Sequence, residues 1–317
     1  MPGFLTHYIA GKAALQGVSP QIQEIINADE RLYNLGTQGP DIFFYYLPGQ
    51  LRKRSRGIAQ QMHLSGLGLF LAYMAKLAKE AETPERETIF AYTAGFMLHY
   101  SLDCNAHPYV YAVTHNENAT KIKNSAKHRQ LETAIDVAML NMVSGKKPAG
   151  ISQWELINAE KCGLSGAAEA LSQSVAAIYN RDVPPKIVTR AMKYTINFTR
   201  ILQSKNGRRK RFMQLVENMT IREHLFSSMI HMQELSNEND YLNIKKAPWH
   251  SPWESEGETH NDSFMERYNL AVDEGIQMLE ALHSYVYGDL PIEKLAEILG
   301  NRSLKTGLPC DCEKCTA

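Results

Sequence analysis

The chain has 317 residues, 44% of them hydrophobic, and its 34 basic side chains balance 34 acidic ones. This composition allows a large buried core, and the zero net charge excludes a global electrostatic attraction to nucleic acid. No hydrophobic run approaches the roughly 20 residues that a transmembrane helix needs. The first residues lack the pattern of a secretory signal and the five cysteines are an odd number, so we expect a cytoplasmic protein with reduced thiols.

The first predicted helix covers residues 4–15 and carries His7 in its opening turns. Two glycines and a proline in residues 36–40 predict a turn, so that Asp41 is presented from a loop. The next helix is predicted to start near Gly57, and His63 lies on its apolar stripe. That stripe follows a 4-3-4 spacing and continues through Leu67, Phe70 and Met74.

Residues 99–107 carry three side chains of metal-binding type inside a segment with the pattern of a buried helix, for which Thr83-Pro84 is the predicted cap. His99 and Asp103 are one helical turn apart and project from one face, where both could hold a single cation. Their neighbours are apolar, and an unpaired carboxylate or imidazole there is costly. A hydrogen-bonded core histidine is the ordinary explanation for any one of these residues, and the recurrence of the pattern weakens it.

The same four-residue spacing recurs in residues 125–136, which contain His128, Glu132 and Asp136. Ser125 is the predicted N-cap of this helix and Gly145 its predicted stop. His128 and Glu132 are expected to face the core because they share a stripe with three apolar residues, Leu131, Ile135 and Met139.

The second half of the chain is also predicted to be helical, and we find no strand alternation and no internal repeat. We therefore predict an all-α multi-helix bundle with one domain over residues 1–300. Residues 236–262 form a long loop whose two tryptophans indicate either a lid or pocket wall or a surface loop held by aromatic anchors. The predicted helices cover 165–180, 185–204, 209–235, 263–287 and 291–299.

Two short motifs outside these elements are given structural interpretations. The basic run Arg208-Arg-Lys-Arg211 could meet phosphate groups, and we interpret it as solvated surface. Residues 301–317 are predicted to be a flexible tail, because the cysteines there lack a clear fourth metal ligand. These cysteines are Cys310, Cys312 and Cys315.

Side chains that zinc accepts as ligands are concentrated in the first 132 residues. Their number exceeds what one tetrahedral ion needs, which points to two or more metals, an arrangement that suits phosphoester cleavage. The eight candidate ligands are His7, Asp41, His63, His99, Asp103, His107, His128 and Glu132.

The order of these residues resembles that of the bacterial zinc-dependent phospholipase C family and, more distantly, that of the fungal single-strand-specific zinc nucleases, which share its all-helical fold. The closest matches are Thr6-His-Tyr8, Gln38-Gly-Pro-Asp-Ile-Phe43, and Leu98-His-Tyr100 with His107-Pro-Tyr109. The resemblance implies one zinc on Asp41, His63, His99 and Asp103, a second on His107, His128 and Glu132, and a third on His7 with a bridging Asp103.

The chain departs from the secreted phospholipases at two points. Those enzymes use an N-terminal tryptophan as a zinc ligand, whereas this chain begins Met-Pro-Gly, so the resemblance supports two zinc ions and leaves a third open. The gap from Asp103 to His107 is also shorter, and Pro108 disfavours helix at His107. His107 is therefore expected to leave the helix axis and reach a second ion, or to belong to the first.

The resemblance implies a hydrolase of the phospholipase C type, in which metal-activated water attacks phosphorus. Asp41 would be a ligand, the base that acts on that water, or both. The expected substrate is a phosphoester, either a lipid headgroup or a soluble phosphodiester, with peripheral membrane contact and no stable nucleic-acid partner. The expected substrate-binding residues are Phe44, Tyr45, Tyr46 and Arg54.

Two other functions remain open at this stage. A nuclease or nucleotidase on the same fold would need an open ring face at Tyr45 or Tyr46, on which a base could stack. A non-catalytic metal-binding module would need a site closed by four protein ligands, with no position for water. The aromatic residues after Asp41 could also be ordinary core.

Overall fold

The structure is a computed structural model, and it describes residues 3–46, 51–204, 206–220, 226–232, 234–235, 239–254 and 258–311, without the side chains of residues 51–56 and 220. The residues described form an all-α fold, which confirms the predicted class. Two isolated bridges, Trp249–His260 and Arg302–Pro309, do not extend into strands. Nothing in the described helices combines the length and apolarity that crossing a lipid bilayer would require.

The described helices run through the chain in the following order. The α-helices are α1 (Phe4–Gly17), α2 (Pro20–Ala28), α3 (Glu30–Gly36), α4 (Leu51–Leu64), α5 (Leu67–Glu80), α6 (Glu85–Thr114), α7 (Lys121–Ser144), α8 (Gln153–Leu156), α9 (Lys161–Tyr179), α10 (Pro185–Leu202), α11 (Arg208–Thr220), α12 (Phe264–Tyr287) and α13 (Ile292–Leu299). Short 3-10 helices cover Gly39–Phe43, Pro148–Gly150 and Ser227–Met229.

Helix α6 lies at the centre of the bundle. Its 30 residues are buried almost continuously from Ile89 to Val110, as expected for a helix that is hydrophobic all round. It packs most extensively against α12, α3 and α5, and it also contacts α1, α7 and α9. Polar side chains on α6 therefore face other helices, which is what makes the residues at 99, 103 and 107 unusual.

Helix α3 crosses α6 with the two backbones in direct contact. A side chain at Gly36 would overlap the carbonyl of Tyr92, and one at Gly95 would overlap the carbonyl of Tyr33. This close approach fixes the segment that follows α3, so the 3-10 helix Gly39–Phe43 lies beside α6 one turn beyond the crossing. The predicted turn at 36–40 is thus present, and it delivers Asp41 to α6.

The single helix predicted from near Gly57 through Met74 is wrong. The structure has two helices, α4 and α5, separated at Gly66, whose φ of +78° lies in the left-handed region that glycine favours. The 4-3-4 spacing spans this break by coincidence. His63 is therefore in the last turn of α4, while the apolar residues of the stripe belong to α5 and pack into the core.

Helix α7 begins earlier than predicted. Its N-cap is Thr120, whose hydroxyl accepts a hydrogen bond from the Lys123 amide, so Ser125 lies inside the helix. The predicted stop is confirmed, because Gly145 ends the helix in the left-handed conformation. The predicted cap at Thr83-Pro84 is close to the observed one, since Pro84 is the N-cap of α6.

The helices of the second half match their predicted ranges within a few residues, with one exception. Helix α11 ends at Thr220, whereas the prediction extended it to 235, and the described residues 226–232 contain only a short 3-10 turn. The capping box between Ser263 and Glu266 is present and begins α12 as predicted.

Candidate metal centre

Three of the candidate ligands lie along one face of α6. His99, Asp103 and His107 are each separated by four residues, which corresponds to an axial spacing of about 6 Å. All three are buried, with side chains exposed by 2% or less. The prediction that His107 leaves the helix axis is wrong: α6 continues through Pro108 to Thr114. Its surrounding helices hold it together although Pro108 has no N–H to give to the Cys104 carbonyl.

The first group consists of His7, His99 and Asp103, and one ligand atom of each lies within 4.8 Å of the others. Asp103 bridges the two imidazoles, because its Oδ1 is 3.2 Å from Nε2 of His7 and its Oδ2 is 3.2 Å from Nε2 of His99. The rings of His7 and His99 stack with centroids 4.3 Å apart. Helix α1 thus brings His7 to the middle of α6, about a hundred residues along the chain.

The second group shares His99 with the first and adds Asp41 and His63. Nε2 of His63 lies 3.4 Å from Oδ1 of Asp41. Asp41 is buried and comes from the 3-10 helix after α3, whereas His63 comes from α4 and is partly buried. His99 is therefore placed between two sets of ligand atoms, and the two groups form one connected cluster.

The third group consists of His107, His128 and Glu132, whose ligand atoms also lie within 4.8 Å of one another. Nε2 of His128 is 2.7 Å from Oε1 of Glu132, which follows it by one turn of α7. Of the two alternatives for His107, the structure therefore brings it together with the residues of the second implied zinc. The residues implied for the first and third zincs are joined through His99 and Asp103.

Three of the histidines are oriented by backbone carbonyls. A carbonyl only accepts, so Nδ1 carries the proton and donates it: His63 to Ala59 O at 2.7 Å, His99 to Thr37 O at 3.1 Å, and His107 to Leu304 O. This arrangement leaves Nε2 deprotonated in the neutral ring and fixes the ring plane. Metal-binding histidines commonly have such a partner on the nitrogen that does not bind the metal.

The buried polar atoms of these groups lack the hydrogen bonds that burial normally requires. Seven of the fifteen such atoms among the described residues belong to the candidate ligands. A buried polar atom without a partner costs about 1–3 kcal/mol, and one on a charged group costs more, so a cluster of this kind needs compensation. A divalent cation supplies it, and the residues therefore fit a metal. The seven atoms are Nδ1 and Nε2 of His7, Oδ1 of Asp41, Nε2 of His99, both carboxylate oxygens of Asp103 and Nε2 of His107.

The protonation of the cluster also suits a metal. Burial holds the pKa of His107 well below its usual range, and burial together with His99 lowers the pKa of His7, so both rings are neutral near pH 7. Burial opposes ionisation of Asp103, but His107 and His99 outweigh it and hold the pKa of Asp103 well below its usual range. Asp103 thus offers a carboxylate, and His7 and His107 offer neutral imidazoles, the forms that bind metals. At His99 the Asp103 carboxylate outweighs burial and raises the pKa, so a metal would bind there in competition with a proton.

The residues predicted to bind substrate lie in different environments. Phe44 is half-buried against His63, with centroids 5.3 Å apart, and Tyr45 packs on Phe198 at 4.9 Å. Tyr46 is almost fully buried and meets the edge of Tyr194, so its ring belongs to the core. The side chain of Arg54 lies outside the described residues.

The loop before α12 contributes to the wall of the third group. Trp253 packs against Tyr111, with centroids 4.7 Å apart, and Tyr111 lies 4.6 Å from the ring of His128. Trp249 is buried and stacks on His260. Each of the two interpretations of this loop therefore holds for one tryptophan: Trp253 packs on the ring that contacts His128, and Trp249 is an anchor.

Asp136 is a positioning residue that the sequence analysis did not select. Its carboxylate is buried and accepts hydrogen bonds from Leu5 N at 3.0 Å, Thr6 N at 2.8 Å and Thr6 Oγ1 at 2.6 Å. The ring of His231 adds a contact of 2.6 Å from Nε2 to Oδ2. Asp136 therefore holds the first turn of α1, the helix that carries His7. Its place in the four-residue series of α7 was visible, but its partner in α1 was not.

Replacing Asp136 with asparagine is expected to weaken metal binding without removing any ligand. The change leaves amide groups of α1 without their charged acceptor, which we expect to cost about 2–3 kcal/mol of stability and roughly 10- to 100-fold in metal affinity. Thermal unfolding and metal titration measure the two effects. Ser263→Ala is the matched control, because it removes a helix cap from α12, and should lower stability while leaving metal affinity unchanged. Equal metal affinity in the two variants would contradict the positioning role.

Residues 301–311 pack against the metal-type residues, unlike the flexible tail that the sequence suggested. Ser303 Oγ donates to the carbonyl of His63 at 3.1 Å, and the carbonyl of Leu304 accepts from His107. Ser303 and Leu304 are fully buried. This C-terminal segment therefore links α4 to α6, and it orients the ring of His107. Cys310 lies at its end, whereas Cys312 and Cys315 lie outside the described residues.

Comparison with known protein families places the chain in a family. The model of the family described as zinc dependent phospholipase C matches residues 6–181, which is more than half of the chain. Comparisons with curated proteins and with solved structures give no match. The matched range contains all eight candidate ligands, and it ends before α10.

Proposed function

Because the chain belongs to the zinc-dependent phospholipase C family, we propose that it is a metal-dependent phosphoester hydrolase whose zinc ions are held by residues of α1, α4, α6, α7 and the segment after α3. Within this proposal His7, Asp41, His63, His99 and Asp103 hold metal in one connected cluster. A further ion is held by His107, His128 and Glu132.

The observation that carries the proposal is the cluster of buried ligand atoms along α6. The third group shares no residue with the other two and brings together three side chains, and a zinc site with three protein ligands keeps a fourth position for water or substrate. A structural zinc site is normally closed by four protein ligands. The grouping therefore supports a hydrolase over a non-catalytic metal-binding module.

When bound, zinc supplies two things here: water that ionises near neutral pH, and positive charge beside the phosphoryl oxygens. The residues of the chain do the rest. Asp41 lies at the edge of the cluster, and we propose that its Oδ1 accepts the proton of the attacking water. The oxygen of that water would form a bond to phosphorus as the bond to the leaving alcohol breaks. The leaving oxygen would take up a proton from solvent water, and Asp41 would return the proton it accepted to the solvent.

The surroundings of the cluster favour a phosphoester headgroup over a stacked base. Tyr46 is core, and the ring of Tyr45 packs on Phe198, so neither presents the open face that the nuclease alternative needs. Phe44 next to His63 and Tyr111 next to His128 are aromatic rings in contact with candidate ligands. Rings in such positions can contact a cationic headgroup by cation–π interaction.

The proposal is tested by elemental analysis of the purified protein together with hydrolysis of bis(p-nitrophenyl) phosphate. We expect at least two equivalents of zinc, turnover that a chelator abolishes, and recovery when zinc is restored. Glu132→Gln should lose the ion of the third group, and Asn269→Gln on the exposed face of α12 is the control that should lose none. Absence of turnover in the fully reconstituted protein would contradict the hydrolase proposal.

A further inference from the structure

Helices α10 and α11, with the segment that joins them, carry a concentration of positive charge. Residues 183–216 contain nine lysines and arginines and no acidic residue, whereas the whole chain has a net charge of zero. A local excess of positive charge of this kind attracts an anionic partner. The segment lies beyond residues 6–181, so membership of the family does not imply it.

The basic side chains of α10 lie on one face. Lys186, Arg190, Lys193 and Arg200 are exposed and recur at helical spacing, while the opposite face is buried. Arg208 and Arg211 continue the exposed positive charge onto α11. Within the described part of the chain, none of these six side chains forms an ion pair with a carboxylate within 4.0 Å. Glu155 and Arg200 both line a depression that Trp154 and Gln203 also border.

Exposed apolar side chains lie next to this positive charge. Phe212, Leu215 and Met219 recur at three- and four-residue steps on α11 and are 66%, 63% and 87% exposed. Ile201 at the end of α10 is 65% exposed and borders an open, mainly apolar groove between the two helices. We call the exposed basic residues of α10 and α11 together with these four apolar residues the α10–α11 surface.

The junction of the two helices is held in place by other basic residues. Arg209 donates to the carbonyls of Ile201 and Gln203 at 2.8 and 2.9 Å, and Lys210 donates to the carbonyl of Ile230 at 2.6 Å. Burial lowers the pKa of Lys210 to about 8. Arg209 and Lys210 thus have structural roles, which leaves Arg208 and Arg211 for a partner.

We propose that the α10–α11 surface docks the protein on an anionic lipid bilayer. A peripheral membrane surface combines basic groups, which face the lipid phosphates, with apolar groups, which enter the boundary between headgroups and acyl chains. Single-stranded nucleic acid would account for the basic residues and could stack a base on Phe212, but it gives no role to the three exposed aliphatic side chains, Ile201, Leu215 and Met219. The combination therefore favours a lipid surface.

The other face of α10 contacts the segment that carries Asp41. Phe198 packs on Tyr45 with centroids 4.9 Å apart, and Tyr194 meets Tyr46 at 5.8 Å. One helix thus separates the docking surface from the candidate metal centre. Delivery of a lipid substrate through this surface rests on the proposed hydrolase function, whereas docking itself does not.

The test is cosedimentation of the full chain with phosphatidylcholine vesicles, with and without phosphatidylserine, in the presence of a chelator so that no lipid is consumed. We expect binding that requires phosphatidylserine and falls with salt. Arg208→Glu with Arg211→Glu should weaken it at least tenfold, since each basic group contributes roughly fivefold near an anionic membrane. Phe212→Ser with Leu215→Ser should weaken it by roughly tenfold or more, whereas Leu270→Ser, an exposed leucine of α12, should not change it.

The readouts separate failure of docking from failure of the hydrolase. All these variants should hydrolyse bis(p-nitrophenyl) phosphate at the rate of the unmodified protein, because none of the substituted residues lies in the metal centre. Vesicle binding by protein that shows no turnover, with or without restored zinc, would contradict the hydrolase proposal and support docking. Turnover without vesicle binding, or vesicle binding that neither pair weakens, would overturn docking. Binding of a single-stranded oligonucleotide with no vesicle binding would overturn it in favour of nucleic acid.

Discussion

Replacing Asp103 with asparagine is expected to remove bound metal and phosphodiesterase activity together. Asp103 is the one carboxylate that contacts both His7 and His99, and its two oxygens have no hydrogen bond among the described residues. Asparagine keeps the shape but removes the negative charge that would balance a divalent ion. We expect the loss of at least one zinc equivalent and a fall in kcat/KM of roughly a thousandfold or more, because the metal supplies both the nucleophile and the electrostatic stabilisation.

The stability of the metal-free protein shows whether this loss reflects ligation or misfolding. His107 and His99 stabilise the charge of Asp103 even without metal, as its lowered pKa indicates. We therefore expect Asp103→Asn to fold and to be somewhat less stable than the unmodified chain after chelation. Chelation should lower the Tm of the unmodified chain by roughly 5–15 °C and leave that of the variant unchanged. Asp289→Asn, at an exposed carboxylate after α12, is the matched control. Full metal content in Asp103→Asn would remove this residue from the ligand set.

The ligand types were predictable from local spacing, because the geometry of one helix relates His99 to Asp103 and His128 to Glu132. Each pair is within one turn of a single helix, and the structure places both pairs in contact. The turn that precedes Asp41 was also predictable, since two glycines and a proline interrupt the helical pattern there, although Asp41 itself lies in a short 3-10 helix. These features depend on residues a few positions apart.

Features that depend on tertiary packing were not predictable. Helix α6 continues through Pro108 because neighbouring helices enclose it, which outweighs a local cost of about 3 kcal/mol or more for proline inside a helix. The roles of Asp136 and of Leu304 depend on partners more than a hundred residues away, in α1 and α6. A sequence shows that these residues exist, but only the packing of helices shows which atoms they face.

A substitution at Gly39 is expected to disable the metal centre without touching a ligand. The φ of Gly39 is +51°, and a methyl group there would overlap the ring of His99. That ring has little room to move, because it stacks on His7 at 4.3 Å and donates from Nδ1 to the carbonyl of Thr37 at 3.1 Å. Gly39→Ala should therefore displace the imidazole shared by two of the groups. We expect the loss of at least one zinc equivalent and roughly a hundredfold loss of kcat/KM, as for misplacement of a catalytic group by about 1 Å.

Gly145→Ala is the control that separates the steric overlap with His99 from the cost of placing alanine at a positive φ. Gly145 also has a positive φ, +65°, and a methyl group there would meet no atom within 4 Å. Both substitutions put alanine in the left-handed region, at a cost of roughly 1–2 kcal/mol, and both should lower the Tm. Only Gly39→Ala should change zinc content and turnover, measured on protein folded at the assay temperature. Because the two variants share the backbone penalty, any difference between them reports the position of His99. Equal zinc content and equal turnover would mean that the shared imidazole is not needed to hold the metal.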